Sequence, residues 1–500
     1  MEIVFNTRTV PCSRELLRQT KLVQEHMECV VSDVNDDIGK IAWAEAQICL
    51  KSKELGSFEL VAGATAEVCV YYLSEEHDKV LSMHLSRDFS VGFSCGDLPE
   101  GTEAQVLLCC QGVQARALNP RKLAIDLTVR AELGCFAGDS LVAAVSADAE
   151  SGEELQLLFE QSSCAVRAQV CEKSFIVSEQ LPVPQEGIVR LLSSHAELLR
   201  GDCQMIGSKA LIKGISELRF GCETEEGSAP VFFEQRIPFS VLLDSGDEDC
   251  ALGALILQPT ALYAELSDAI NGGRVIELEL HAAAQGEFTK TVALDHIVDA
   301  YSTTCPLRCT QSTATVGCSG EGVCFTSEAR DEISLEDEAV TLQAKQAQLL
   351  SFSAKENAAS ASAVVSLLLQ NADGSYGTVQ KLLSFEAPLP AADCRIDEVR
   401  LGELSVHPSG GKIELCAEAK FCGTRNRSAE LRWISSVELD TENAYDLAAL
   451  SALTVVTRRG RSLWELAKRY HSSPEAIEKL NAKHPMGGDQ LLIARVQPGR

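Results

Sequence analysis

The sequence predicts a mainly β protein: three tandem β-rich domains of antiparallel sheets with short helices, followed by a small βααβ domain. Three observations predict this class. Apolar and polar residues alternate along many segments, acidic turns separate these segments in pairs, and one hairpin pattern recurs at domain-sized intervals. At 500 residues the chain is also too long for a single hydrophobic core, so three or four domains are expected.

The alternation is clearest in four segments that we interpret as strands, namely AEVCVYYL (66–73), KLAIDLTVRAEL (122–133), VIELELHAAA (275–284) and KIELCAEAKF (412–421). A period of two places apolar side chains on one face and polar side chains on the other, as half-buried antiparallel strands require. The acidic turns SEEHDK, ETEEGSA and NADGSYG separate pairs of strands and indicate hairpins.

These three hairpins form an internal repeat. The first, GATAEVCVYYLSEEHDKVLSMHLSRDFSV, begins at Gly63. The second, GISELRFGCETEEGSAPVFFEQRIPFSV, begins at Gly214, and the third, SAVVSLLLQNADGSYGTVQKLLSFEAPL, begins at Ser362. The starting points lie 151 and 148 residues apart. A period of this length predicts three related domains rather than a solenoid of short units.

A looser segment precedes each of the first two hairpins, at 31–48 and 181–198, and its pattern indicates a turn or a helix. Acids at the start of a helix interact favourably with its dipole, so a strand-to-helix connection is the preferred interpretation. A cation site is the alternative, and it is disfavoured because the second repeat keeps only Glu186 of the acids. The polar and proline residues concerned are Asp33, Asp36, Asp37, Pro182 and Pro184.

Two short helices are predicted near the carboxyl end. Ser462 and Glu465 have the spacing of a capping box, and Gly460 before them allows a tight turn. Ser473 and Pro474 are typical of the start of a second helix. The apolar faces of the two helices are expected to consist of Leu463, Leu466, Ala467 and Tyr470, and of Ile477 and Leu480.

Strand-like segments flank the helices, LTVVT (453–457) before them and QLLIARV (490–496) after them. The predicted order is therefore β-α-α-β, in a domain at 452–497. In so small a unit every apolar position is needed for the core.

Charge is unevenly distributed along the chain. The 72 acids and 44 bases give a net charge of −28, yet residues 451–500 hold nine Lys and Arg against four acids. That segment is thus +5 and the remainder −33, which excludes nucleic-acid binding by the body. The basic segment is either a plainly solvated terminus, or it binds an acidic partner or docks onto the body itself.

No signal-type or membrane-spanning segment is expected. The most apolar stretch, ALGALILQPTALYAEL (251–266), is too short to span a membrane and is interrupted by Gln258 and Pro259. We therefore expect a cytoplasmic chain whose 20 cysteines are reduced and largely act as small buried hydrophobic residues.

The search for catalytic motifs favours a protein that is not an enzyme, with no catalytic residues, no cofactor and no metal. The nine histidines show no HExxH spacing, and no GxSxG or Walker-type loop is present. The abundant acids are interpreted as a solvated surface, and a hydrolase is kept as a third hypothesis. The nearest approach to a zinc cluster is formed by Cys305, Cys309, Cys318 and Cys324, which we interpret as thiols in strands.

Residues 1–445 resemble a tandem family domain, the SPOCS domain of spore-coat and spore-cortex morphogenetic proteins. The resemblance is carried by SEQLPVPQEGIVRLL (178–192), CQMIGSKALIKGISELRF (203–220), IPFSVLLD (237–244) and DAYS (299–302). It implies SPOCS-like domains at 1–160, 161–303 and 304–445, which supply contact surface for other proteins.

The carboxyl-terminal segment resembles a LysM domain through GRSLWELAKRY, Leu480–Asn481 and GDQL (488–491). LysM domains commonly bind N-acetylglucosamine polymers in a shallow groove between two loops. Two features depart from the family pattern: Arg461 stands where an Asp is usual, and Ala494 and Arg495 replace the usual final proline. The groove that the resemblance implies consists of Gly460, Arg461, Ser462, Leu463, Trp464, Met486, Gly487, Gly488, Asp489, Gln490 and Leu491.

Three SPOCS-like domains followed by LysM is the layout of the SipL-like family of spore-coat assembly proteins. The resemblance implies a non-enzymatic scaffold in the mother-cell cytoplasm, at the forespore surface and spore coat. Its LysM module would bind the coat-basement ATPase (stage IV sporulation protein A), and the body would recruit other coat proteins. The alternatives are a peptidoglycan-binding protein and a purely structural terminus. For the groove we expect an exposed Trp464 and a core Leu463.

Overall fold

A computed structural model describes the chain except residues 1, 4, 148–154, 186, 226–228, 270–271, 336–339, 356, 392, 410, 447–448, 450 and 496–500. Within the described residues the protein is mainly β, as predicted. The described residues form 21 strands, two α-helices and one 3₁₀-helix, and the strands make small antiparallel sheets.

Eighteen of the strands form three successive sets of six. The first set is β2 (Phe5–Val30), β3 (Ile38–Leu55), β4 (Glu59–Ser74), β5 (Val80–Ser94), β6 (Glu103–Asn119) and β7 (Lys122–Ala147). The second is β8 (Leu155–Pro182), β9 (Ile188–Ile206), β10 (Lys209–Thr224), β11 (Val231–Asp244), β12 (Ala251–Asp268) and β13 (Arg274–Ser302). The third is β14 (Leu307–Ser334), β15 (Thr341–Lys355), β16 (Ala358–Gln370), β17 (Tyr376–Pro388), β18 (Cys394–Ser409) and β19 (Lys412–Leu439).

Each set has the same connectivity. Its second, third and fourth strands make a meander, in the orders β3-β4-β5, β9-β10-β11 and β15-β16-β17. Its sixth strand lies between the first and the fifth, in the orders β2-β7-β6, β8-β13-β12 and β14-β19-β18. The hairpins β4–β5, β10–β11 and β16–β17 are those of the sequence repeat, so the prediction of three hairpins is confirmed. The division into domains ending at 160, 303 and 445 stays a prediction.

The amino-terminal strand β1 (Glu2–Ile3) belongs to the third set, although it precedes the first. Glu2 lies opposite Glu438 and Ile3 opposite Val437, both of them in β19. The start of the first set is therefore joined to the end of the third by a backbone ladder.

Three hydrophobic clusters of the described residues contain side chains from all three sets. In one of them Tyr71 of the first set packs with Phe232 of the second and Leu368 of the third. In another, Val10, Val166 and Leu431 represent the three sets in the same way. Because burial of apolar surface is the main stabilising term, the three sets stabilise one another as well as themselves.

Buried glutamines connect the first and second sets at the edge strand β6. Gln285 donates its amide to Val106 O at 2.9 Å and accepts from Val106 N at 3.0 Å, and Gln258 pairs in the same two ways with Leu108. Gln285 is 0% exposed and Gln258 1%. Side-chain amides here take the place of a neighbouring strand, and they satisfy backbone groups whose burial without partners would be costly.

A buried ion-pair cluster lies at the boundary of the same two sets. The guanidinium of Arg167 contacts Glu287 Oε1 at 3.0 Å and Glu15 Oε2 at 3.4 Å, and it lies 4.8 Å from the ring centroid of Phe136. Burial by itself would raise the pKa of Glu15, but the hydrogen bonds and charge of Arg18, together with the charge of Arg167, hold that pKa below its usual value. Glu15 is therefore kept ionised by arginines from both sets.

The prediction of helices before the hairpins is wrong. β3 begins at Ile38 and β9 at Ile188, directly after short turns, and no α-helix occurs in the described part of 2–439. In β3, residues 42–50 are buried on nearly every position of both faces, so the apolar residues of that segment do not alternate clearly.

The acids of the first leading segment bind basic side chains instead of starting a helix. Arg121 donates to Asp37 Oδ1 at 2.8 Å and to Asp33 Oδ1 at 3.1 Å, and Lys79 contacts Asp36 Oδ2 at 2.9 Å. The corresponding Glu186 and the turn at 226–228 lie outside the described residues. The acids thus connect the turn to neighbouring strands through ion pairs.

After a 3₁₀-helix at Thr441–Asn443, the chain ends in a segment containing both α-helices. Its elements are β20 (Leu453–Thr457), α1 (Leu463–Arg469), α2 (Pro474–Lys483) and β21 (Gln490–Ala494). β20 pairs with β21 from Leu453↔Ala494 to Thr457↔Gln490. The strands and helices have the predicted order, and Val496 of the predicted last strand lies outside the described residues. Among the described residues, no helix has the length and apolar character needed to cross a membrane.

Candidate functional site

The capping box of α1 is confirmed. Ser462 Oγ accepts a hydrogen bond from Glu465 N at 3.1 Å, and Ser462 N donates to Glu465 Oε2 at 2.9 Å. Both groups satisfy backbone N–H donors that have no partner inside the helix. Leu466 and Ala467 on the inner face are fully buried. The loop before α1 is consequently held in one defined conformation.

α2 and β21 are held together by Asn481. Its amide donates to Ile477 O at 2.8 Å and to Leu492 O at 2.7 Å, while its oxygen accepts from Leu492 N at 2.8 Å. Ser473 caps the start of α2 by accepting from Ala476 N at 3.1 Å, and Pro474 occupies the first turn, as predicted. These bonds fix the loop that joins α2 to β21.

The two loops predicted to form the groove lie side by side. Arg458 N donates to Asp489 O at 2.8 Å, and Arg459 N donates to Asp489 Oδ2 at 2.8 Å. Gly460 and Gly488 have φ values of +76° and +69°, a region that glycine enters without strain. We call the surface made by residues 458–462 and 486–491 the two-loop surface.

Most of the predicted site residues are exposed on the two-loop surface. The exposed ones are Gly460, Arg461, Ser462, Gly487, Gly488, Asp489 and Gln490, and the half-buried ones are Leu463, Trp464, Met486 and Leu491. The structure therefore brings both loops together, but four of the eleven side chains contribute partly to packing.

Trp464 was expected to be exposed, but it is half-buried because it contacts the body of the protein. Its ring packs against Tyr301 with centroids 4.8 Å apart and planes inclined by 70°. Its Nε1 donates to Asp299 Oδ2 at 2.7 Å. Lys468, four positions further along α1, contacts Asp299 Oδ1 at 2.7 Å. The expectation was wrong because the partner of this ring lies more than 160 residues away in sequence.

Tyr301 belongs to the hydrophobic core of the carboxyl-terminal segment. It is 5% exposed and clusters with Val456, Leu466 and Ile477, and its hydroxyl donates to Ser472 O at 2.7 Å. Burial, reinforced by the charge of Asp299, raises the pKa of the Tyr301 hydroxyl. Of the roles considered for the basic segment, docking onto the body is thus observed.

Asp299 and Tyr301 anchor the carboxyl-terminal segment, and in the sequence they stand out only as part of the DAYS motif. An acid next to an aromatic residue at a strand end, together with Trp and Lys at i and i+4 of a helix, is the signal that could have found them. A second aromatic contact lies nearby, where the rings of Tyr445 and His471 are 4.2 Å apart.

Three arginines give the two-loop surface its positive charge. Arg458, Arg459 and Arg461 are all exposed, and Arg458 Nε donates to Arg461 O at 2.9 Å. None of the three guanidinium groups forms an ion pair with a carboxylate among the described residues. In contrast, Lys468 is held by Asp299. The three guanidinium groups therefore face solvent.

A polar cavity of about 310 Å³ lies between the first and second sets. Burial raises the pKa of Glu45 despite its hydrogen bond from Trp43, and burial together with Arg219 lowers the pKa of His195 to about 3. Burial also raises the pKa of the Cys69 thiol. Burial thus disfavours the charged form of each of these three groups, and a protonated thiol is a poor nucleophile.

The four cysteines considered as a zinc cluster do not form one in the described structure. Cys305 and Cys318 are buried, whereas Cys309 and Cys324 are exposed. No three His, Cys, Asp or Glu side chains of the described residues are grouped so that they could hold a metal. Cys324 lies beside Cys422 instead, with 2.8 Å between the sulfurs.

Comparison with known proteins gives no relative. No protein-family model, no curated protein and no solved structure matches the chain. The resemblance to SPOCS and LysM domains consequently rests on the quoted sequence motifs alone.

Proposed function

We propose that this protein is a non-enzymatic SipL-like scaffold for endospore coat assembly, whose LysM-like carboxyl-terminal domain binds the coat-basement ATPase (stage IV sporulation protein A). One observation carries the proposal. The two-loop surface is exposed and cationic, while α1 of the same segment is anchored to a large anionic body through Asp299.

The geometry of the carboxyl-terminal segment supports the LysM part of the proposal. A LysM domain needs two helices between two paired strands and two adjacent loops that share a groove. β20 and β21 pair on either side of α1 and α2, and Asp489 bonds the backbone of the first loop. The two-loop surface is therefore the proposed binding surface.

Charge favours a protein partner over a neutral glycan. Arg458, Arg459 and Arg461 attract an acidic surface and accelerate its association, whereas an uncharged sugar polymer gains little from them. Trp464 also packs on Tyr301, so less of its ring is available for stacking on a sugar. An acidic face of the ATPase is therefore the proposed ligand.

The body would act as the recruiting platform for other coat proteins in the mother-cell cytoplasm, at the forespore surface. Its three sets share three hydrophobic clusters among the described residues, which suits a rigid support with a large anionic exterior. Burial disfavours the charged forms of Glu45, His195 and Cys69 in its cavity, which suits a scaffold better than a hydrolase.

Peptidoglycan or N-acetylglucosamine binding at the spore cortex or envelope is the second candidate. Gly487 and Gly488 are exposed, and their lack of side chains leaves the backbone amides open to a ligand. LysM domains commonly use such amides for sugars. This candidate needs no contribution from the arginines.

The two candidates are separated by binding experiments on the full chain. Removing residues 450–500 is unsuitable because it would expose the buried Tyr301. We instead compare Arg461→Glu with Lys479→Glu, a matched charge reversal at an exposed position of α2. Purified ATPase and insoluble peptidoglycan are the two binding partners, tested at low and high salt.

We expect the unaltered chain to bind the ATPase in a salt-sensitive manner. Arg461→Glu should weaken this binding by about tenfold. Lys479→Glu should change it much less, because salt screens the interaction between exposed charges that are far apart. Retention on peptidoglycan alone would overturn the proposal in favour of glycan binding. Equal weakening by both substitutions would show that the two-loop surface is not the binding site.

A further inference from the structure

Cys324 and Cys422 face each other across two long strands of the third set. They are direct register partners in β14 and β19, and their sulfurs are 2.8 Å apart. A disulfide bond is about 2.05 Å long and joins residues with Cα atoms about 4.4–6.8 Å apart, a span that cross-strand neighbours satisfy. The backbone therefore already has the separation that a disulfide requires.

The adjacent residues fix this register. Phe325 and Phe421 form the next cross-strand pair, and their rings stack with centroids 5.3 Å apart and planes inclined by 7°. Phe421 is 0% exposed, so the rings are anchored in the core of the third set. Because successive side chains in a strand point to opposite faces, the thiols lie on the other face.

The two thiols differ in accessibility. Cys324 is exposed, so a small oxidant can reach its sulfur, while Cys422 is half-buried. Burial and the hydrogen bond with Cys324 raise the pKa of Cys422 to about 12. Since the thiolate is the attacking form, Cys324 reacts first and Cys422 second.

We infer that Cys324 and Cys422 form a redox modification site, at which a low-molecular-weight disulfide such as glutathione disulfide converts the two thiols into an intramolecular disulfide. The Cys324 thiolate attacks one sulfur of the oxidant, forming a mixed disulfide and releasing one thiolate. Cys422 then loses its proton and attacks Cys324 Sγ, which releases the second thiolate. Two protein thiols are oxidised by two electrons, and one oxidant molecule is reduced to two thiols.

The new bond would close a loop between positions 98 residues apart, enclosing β15 to β18. Cross-linking a loop of this size restricts the unfolded chain and so stabilises the folded one. The third set would thus be more resistant to unfolding after oxidation. This inference is independent of the proposed partner of the two-loop surface.

The test uses the full reduced chain, incubated with glutathione disulfide, alkylated and mapped by mass spectrometry. We expect the loss of two alkylatable thiols, a peptide pair linking Cys324 to Cys422, and a rise in the thermal midpoint that a reductant reverses. Cys309→Ser is the matched control, because Cys309 is the other exposed cysteine of the described residues. That variant should keep the link, and Cys324→Ser should lose it.

Three results would overturn the inference. Glutathione could stay on Cys324 as a stable adduct in the full chain. Cys324 could become linked to another cysteine or to a second chain. Both thiols could also remain fully alkylatable after exposure to the oxidant. In contrast, a link between Cys324 and Cys422 in both the unaltered chain and Cys309→Ser would support the inference.

Discussion

Trp464 donates its indole N–H to Asp299 Oδ2 at 2.7 Å, across 165 positions of the chain. Lys468 lies one turn further along α1 and contacts both oxygens of the same carboxylate, at 2.7 and 2.8 Å. One carboxylate at the end of β13 therefore orients the whole helix, which leaves the two-loop surface pointing to solvent.

Replacing Trp464 by Phe tests this anchor. The variant keeps an aromatic ring next to Tyr301 but removes the hydrogen bond to a charged acceptor, and we expect a loss of about 1–2 kcal/mol in local stability. Hydrogen exchange of the α1 amides measures it. Lys479→Ala, on the exposed side of α2, is the control and should leave exchange unchanged. Unchanged exchange in Trp464→Phe would contradict the anchoring role.

Leu466→Ala should destabilise the carboxyl-terminal segment more than Leu463→Ala. Leu466 is 0% exposed, and removing a buried leucine typically costs about 2–5 kcal/mol. Leu463 is half-buried and only borders that core, so its truncation leaves a smaller cavity. Denaturant unfolding of the two full-length variants measures the difference. Equal losses would mean that Leu463 is core, as the sequence pattern suggested.

Gln285→Leu should destabilise the contact between the first and second sets. The leucine fills similar volume but leaves Val106 N and O buried without their partner, at a cost of about 1–3 kcal/mol for each group. Thermal unfolding measures this loss. Gln114→Leu, at an exposed position of the same edge strand, is the control and should change the midpoint little. A midpoint for Gln285→Leu at or above that control would contradict the interpretation.

His195 should make the protein less stable as the pH falls below about 6.5. Burial and Arg219 lower its folded pKa to about 3, so between these values the unfolded chain binds a proton that the folded chain does not. The free energy of unfolding then falls with decreasing pH, by at most about 1.4 kcal/mol per pH unit for one group.

Denaturant unfolding between pH 7 and pH 5 measures this dependence. His195→Gln should flatten it, and His407→Gln, at an exposed position, should not. If the two variants kept the same slope, protonation of His195 would not be the cause.

Local signals in the sequence predicted the features whose causes are local. Ser462 and Glu465 bond each other three residues apart, and Ser473 caps the next helix in the same way, so both helix starts could be predicted. The alternation of apolar and polar residues in β7 and β13 likewise reflects strands in which one face is more buried than the other. The recurring hairpin could be predicted because an acidic turn separates its two strands in each repeat.

Features that depend on distant partners could not be predicted. The apolar residues around Trp43 do not alternate, because β3 is covered on both faces, and the segment was misread as helical. The sequence alone does not distinguish Gln285 from a solvent-exposed polar residue, because its partner Val106 lies in a distant strand. Trp464 fits the pattern of an exposed groove residue, and only Tyr301 shows why it is half-buried.

The pairing of Glu2 and Ile3 with β19 also sets an order of events during synthesis. These two residues are synthesised before the three sets, yet their ladder partners, Glu438 and Val437, are synthesised only near the end of β19. The first set must fold with that junction open, and the seam between the first and third sets can close only after β19 has been synthesised.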